Sequence, residues 1–203
     1  MVRLIKLRSN HARLLQSLAD FLISKKWKEP IEIGGTLFPR SSVCGNLNSS
    51  ANLTMDPKSL SADFRDFLKS LNDHDVEYLL VGGHAVAYHG YVRPQDMDVW
   101  IAVNPDNARR MVAAVEAFFG CKLQGLAPDW FLDTDQVTRF GVRPNLIEIL
   151  TKIDGSDFAE SYSHRVISEL DGVHINIIAL ADLKANKKAT GRNKDLADLD
   201  NLP

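Results

Sequence analysis

Three observations predict an α/β (α+β) domain, a mixed β-sheet flanked by helices. Helix-periodic stretches alternate with short apolar runs from about residue 60 onward, a diglycine closes one run at Gly82-Gly83, and an Asp-x-Asp, Asp96-Met97-Asp98, interrupts the next. The βαβ units are too few for a full dinucleotide-binding fold, and the diglycine lacks the third glycine of that fingerprint.

Residues 9–26 space Leu14, Leu15, Leu18, Phe21 and Leu22 at helical intervals behind Ser9 or Asn10 as a cap, which predicts one amphipathic helix. The following residues turn to Gly, Ser, Asn and Pro, the composition of a linker, with a seam near 40–55. Asp56-Pro57 signals the start of a helix whose apolar stripe is Phe64, Phe67, Leu68 and Leu71 and whose end is Asn72, Asp73 and His74. Glu77 to Gly83 reads as a short buried strand running into a glycine turn, and a short helix begins at His84. The next strand is Met97 to Val103. A polar start at Asn104-Pro105, apolar Met111, Val112, Val115, Phe118 and Phe119, and a stop at Gly120 predict the clearest helix of the chain. A third strand covers Leu146 to Ile153, a hairpin turns at Asp171-Gly172, and a polar helical tail breaks at Gly191.

The 203 residues are 45% hydrophobic, enough for a sizeable core and too many for a disordered chain. Only Cys44 and Cys121 occur, without metal-knuckle or redox-pair spacing, so the expected setting is the reducing cytoplasm. No apolar run approaches membrane-spanning length, and no membrane partner is expected. The net charge of −2 divides into +5 over residues 1–54 and −7 over residues 55–203. An acidic main domain argues against broad, non-specific nucleic-acid binding, which needs a continuous basic face.

Strand side chains alternate, so Asp96 and Asp98 project from one face and two anions are forced together. Burying them unpaired costs several kcal/mol or shifts a pKa upward, and a divalent cation removes both penalties. Hard carboxylate oxygens select Mg²⁺ or Mn²⁺, metals that fill their remaining positions with water or phosphate oxygens. Gly82 and Gly83 suit a phosphate-bearing ligand such as an NTP, because a bare backbone admits phosphate and a helix start aims N–H groups at it. Glu148 is a lone acid in the apolar Leu146 to Leu150 run, placed to ligate metal or to take a proton from an attacking hydroxyl. His84 either contacts a phosphate or crowds the pocket. Arg93 either steadies a triphosphate or pairs with a nearby acid, while Trp100 and Trp130 read as core or pocket wall.

The diglycine, twelve further residues, then Asp96-Met97-Asp98 and a later acidic strand resemble the signature of the DNA polymerase beta-like nucleotidyltransferases. Residues 60–200 are most similar to small bacterial members related to the AbiE-type and minimal-nucleotidyltransferase toxin-antitoxin groups. The resemblance implies residues 55–203 as a nucleotidyltransferase-like domain, with residues 1–54 an N-terminal extension of one amphipathic helix and a turn-rich linker. It implies transfer of an NMP from an NTP to a hydroxyl of a protein or tRNA acceptor, with Mg²⁺ held by Asp96, Asp98 and Glu148. Gly82 and Gly83 become the phosphate-contacting turn, and Lys187 and Lys194 match the lysine-bearing tail of the AbiE-type relatives. A toxin or antitoxin partner is the implied context. The alternatives are a non-catalytic, antitoxin-like module that binds a partner on the same fold, and a phosphohydrolase using the same carboxylates on water.

Overall fold

The computed structural model describes residues 32–33, 36–37, 60–91, 96–123, 125–141 and 145–203. The helix expected over 9–26, the seam near 40–55 and Arg93 lie outside the described residues, as do Asp56 and Pro57, but the helix expected to start there begins only at Ala62, behind extended Ser61. Within the stretch expected to be a linker, β1 (Glu32–Ile33) pairs antiparallel with β2 (Thr36–Leu37).

The main body opens with α1 (Ala62–Asp73), capped by Ser61, whose hydroxyl accepts from the Phe64 amide at 3.2 Å. Its stripe of Phe64, Phe67, Leu68 and Leu71 is buried, as the periodicity predicts. Next come β3 (Tyr78–Val81), α2 (Gly82–Tyr88), β4 (Met97–Ile101) and α3 (Pro105–Phe119). Asn104 caps α3 and left-handed Gly120, at φ 72°, ends it. A 3₁₀ turn (Pro128–Phe131) leads to β5 (Val137–Phe140) and β6 (Ile147–Leu150). Then follow α4 (Phe158–Ser163), the hairpin of β7 (Val166–Leu170) and β8 (Val173–Ile177), and α5 (Leu180–Thr190) with α6 (Asn193–Asn201). The hairpin turns on Asp171 and Gly172, both at positive φ, as a type I′ turn requires.

The six long strands form one mixed sheet in the order β5-β6-β4-β3-β8-β7. β4 runs parallel to β6 and β3 parallel to β8, and the other pairs are antiparallel. The expected mixed sheet with flanking helices is therefore present. Besides β1 and β2, three elements of the main body went unread in the sequence: β5, the 3₁₀ turn and α4. The diglycine also differs from its expected role, because α2 starts at Gly82 rather than His84 and takes both glycines into its first turn.

Met97, Val99 and Ile101 of β4 and Ile147 and Ile149 of β6 point into the fully apolar side of the sheet. α1 and α3 pack on each other, and α1 packs on β8. The opposite side alternates in rungs. One rung runs Val81, Asp98, Glu148, Arg139 across β3, β4, β6 and β5, and the next runs Leu79, Trp100, Leu150, Val137. Trp100 is covered by Phe158 of α4, ring centroids 5.0 Å apart in an edge-on arrangement. α2 touches β3, β4 and α5, so the polar rung opens toward α2 and the tail helices. Among the described residues no helix is long and apolar enough to cross a membrane.

One buried polar side chain joins the ends of β3, β4 and α3. The Asn107 oxygen accepts from the Glu77 amide at 2.8 Å, and its nitrogen donates to the carbonyls of Glu77 (3.1 Å) and Ala102 (2.9 Å). Removing it strands backbone groups in the interior, which costs roughly 1–3 kcal/mol. Asn107→Ala is expected to lower the denaturant-unfolding free energy by about that amount, against no measurable change for the exposed Lys122→Ala.

Candidate functional site

The Asp98 carboxyl is only partly buried, at the end of the paired stretch of β4, opposite Val81 on one side and Glu148 on the other. In-register neighbours on parallel strands bring the two carboxyl groups into hydrogen-bonding contact. Burial pushes the Asp98 carboxyl up to about 7. The negative charge of Glu148 and the shared hydrogen bond push the same way, against a backbone N–H from Gly83 and the positive charge of Lys194. Below about pH 7 Asp98 therefore keeps its proton beside Glu148.

Glu148 has a second partner. Arg139, directly opposite on β5, donates from Nε to Glu148 Oε1 at 2.5 Å. The Arg139 side chain is 46% exposed and that of Glu148 20%.

Gly82 explains how Asp98 fits. Its φ is +58°, which already favours glycine, and a β-carbon there would fall on the Asp98 carboxylate, 2.7 Å from its carboxyl carbon. The missing side chain that the sequence suggested for phosphate approach is thus taken up by Asp98 itself. Gly83, buried in the first turn of α2, contributes its amide to the same carboxylate.

These groups line a cavity of about 340 Å³. Asp98 and Glu148, the touching acids we call its floor, line it together with Asp135 and Asp154. Arg139, Lys152, Arg192 and Lys194 stand around it as cations, and Val137, Leu150 and Ile153 supply an apolar stretch of wall. Acid at the floor and base around it is a charge pattern suited to a cation carried by a phosphate ester.

Lys187, expected to contact phosphate, also lines the cavity, but its ammonium is already matched. It is 4% exposed and reaches Asp195 Oδ1 at 2.6 Å and Asp198 Oδ2 at 2.8 Å, both on α6. Burial pushes the Asp195 carboxyl up, but hydrogen bonds from Lys187, Arg192 and Thr190 outweigh it and bring the group down to about 2. Lys187 therefore pins α5 to α6 at the cavity wall. Gly155 tightens the same wall, since a β-carbon there would meet the Ala189 methyl at 2.6 Å, and Asn186 donates to the Asp154 carbonyl at 2.9 Å.

Of the other expected site residues, Lys194 lines the cavity, in the exposed first turn of α6. Asp96 sits one residue before β4 and is absent from the cavity lining among the described residues. His84 packs edge-on against Phe64 with ring centroids 5.3 Å apart. Of the expected trio, Asp98 and Glu148 meet in the cavity. Among the described residues no group of three or more His, Cys, Asp and Glu is assembled to hold a metal ion. The Asp98–Glu148 pair nevertheless fits a divalent cation by its donor chemistry, adjacent hard carboxylate oxygens. Sequence reasoning missed Arg139, Lys152 and Asp198; Asp195 was matched together with Lys194 to the family's tail segment, and the structure pairs it with Lys187 instead. The i, i+3 aspartates of α6, eight residues beyond Lys187 at the nearer one, were the one local signal for the buried cluster. No protein-family model matches the chain, and no curated protein matches it.

Two measurements probe this site. The folded protein favours protonated Asp98 between the ordinary aspartate value, near 4, and about 7, so stability falls as pH rises through that window. The melting temperature of the metal-free protein should drop between about pH 4 and pH 7, the drop should shrink in Asp98→Asn, and Mn²⁺ should restore the loss at the upper end. Lys187→Ala takes the shared ammonium from two buried carboxylates, leaving Asp195 to Arg192 and Thr190, a change that costs roughly 3–5 kcal/mol. Its melting temperature should fall far below that of Lys122→Ala.

Proposed function

We propose that the protein is a metal-dependent nucleotidyltransferase of the DNA polymerase beta-like kind, moving an NMP from an NTP to a hydroxyl of a protein or tRNA acceptor. The observation that carries this reading is the Gly82, Asp98, Glu148 constellation in one cavity ringed by cations. A purely structural role does not account for a glycine kept at positive φ so that one carboxyl can be pressed against another. The cost of that contact is useful only if a ligand relieves it.

Asp98 and Glu148 are the residues to hold Mg²⁺ or Mn²⁺, with Asp96 next along the chain as the third acid. A divalent cation bound there supplies charge neutralisation for the phosphates and for a developing alkoxide. The chain's own groups do the rest. Lys194 and Lys152 draw the phosphate chain to the cavity, and their charges offset its negative charge. Val137, Leu150 and Ile153 offer an apolar surface of the kind a nucleobase rests on. Once the pair has lost its shared proton, a Glu148 oxygen is placed to accept the proton of the attacking hydroxyl. Nucleophilic attack at the α-phosphorus then forms the new ester bond and breaks the bond to pyrophosphate, which leaves with its electron pair.

A second reading has its own support. Asp96 does not line the cavity with the other two acids, and a binding module that has kept the fold without turnover, as an antitoxin-like partner, would tolerate that.

Incubation with labelled NTPs, Mg²⁺ and candidate protein or tRNA acceptors separates the readings. Label transfer is expected with wild type and none with Asp98→Asn. Glu148→Gln should retain nucleotide binding and lose roughly two to four powers of ten in rate. Phosphate release without transfer would make the protein a phosphohydrolase. Neither product, with intact nucleotide binding, would leave the binding module.

A further inference from the structure

Glu148 is held on one side by Asp98 and on the other by Arg139, and the second contact is the unusual one. Among the described cations lining the cavity, Lys187 and Arg192 are tied to Asp195 on α6, away from the acidic floor. Arg139 is tied to a floor carboxylate itself, Nε to Oε1 at 2.5 Å. It sits on β5, at the edge of the sheet, with nearly half of its side chain exposed. The backbone there is paired on one side only, and the long side chain has solvent to swing through. The contact to Glu148 uses Nε, which leaves the terminal nitrogens of a planar guanidinium for a second, forked acceptor.

From this geometry we infer that Arg139 is a placeholder cation, occupying Glu148 while the cavity is empty and moving onto the phosphates of the incoming ligand when a divalent cation takes the Asp98–Glu148 pair. The inference rests on the nucleotidyltransferase reading and adds to it a residue that senses the phosphate chain. The physical reason is charge balance. A divalent cation and a guanidinium on one carboxylate repel each other at close range, and the repulsion is relieved when the guanidinium transfers to an anion. A phosphate offers that anion in the fork geometry that arginine matches best, and the switch needs only side-chain rotation. Metal and phosphate then bind together more tightly than either binds alone, because each removes an obstacle to the other.

Mn²⁺ alone and inorganic pyrophosphate with Mn²⁺ are suitable probes, since neither depends on the base or the acceptor. Titration calorimetry on the full chain compares wild type with Arg139→Ala and Arg139→Gln. Removing the placeholder should strengthen binding of Mn²⁺ alone by about three- to tenfold and weaken pyrophosphate in the presence of Mn²⁺ by about tenfold or more. The opposite signs are the signature. Arg139 is exposed on an edge strand, so both variants should melt within a few degrees of wild type, and Arg139→Gln keeps a neutral donor at the position should Arg139→Ala prove unstable. If wild type binds both probes and the variants match it, or if both affinities fall together, Arg139 is a structural ion pair and the inference is overturned while nucleotide transfer stands. If wild type binds neither probe, the nucleotidyltransferase reading fails and the inference with it.

Discussion

Two carboxyl groups in hydrogen-bonding contact, Asp98 and Glu148, set the terms for everything around them. Side by side on parallel strands they repel each other when both are charged, and burial adds to that cost. The neighbourhood supplies partial relief from several directions: the Gly83 amide and the charge of Lys194 on Asp98, the guanidinium of Arg139 on Glu148. None of these removes the need for a proton. A fold that keeps such a contact holds its floor in a state that a bound cation improves, and pre-arranged electrostatic demand of this kind is what binding sites are made of.

The rest of the molecule makes that contact rigid. On the far side of the sheet Met97, Val99, Ile101, Ile147 and Ile149 are buried and lock the register of β4 against β6. A slip of one residue would turn Asp98 and Glu148 into the apolar layer and bring isoleucine to the cavity, so the hydrophobic side decides where the acids stand. On the near side the apolar rung of Trp100, Leu150 and Val137 follows the polar one two residues along. The cavity wall opposite is a separate device. Lys187, Asp195 and Asp198 join α5 to α6 through buried charges, a costly arrangement that tolerates no missing partner.

Much of the fold was legible because the signals were local. Asn104 is a cap, Gly120 and Gly191 are stops at positive φ, and Asp171-Gly172 is a two-residue hairpin turn; each acts within a few residues of itself. The unread elements lack such signals. β5 is four residues, Val-Thr-Arg-Phe, with its alternation hardly begun, and the 3₁₀ turn and α4 are too short for a helical period to show. Of residues 1–59, the described ones are the two short strands β1 and β2.

For the site, the sequence by itself determined that Asp98 and Glu148 are acids within apolar strands and that two glycines end the strand before them. Residue type and period are local properties, and they were enough to mark out the floor of the cavity. Only the tertiary structure decided the rest. Strand order put Glu148 beside Asp98 and Arg139 beyond it, an alignment that depends on how β4, β6 and β5 pair across fifty residues of chain. Helix packing turned Lys187 from a cation among surface lysines into the buried centre of an ion cluster. The bare α-carbon of Gly82 acquired its meaning from a side chain sixteen residues away, because close approach is a property of three-dimensional space that spacing along a chain does not encode.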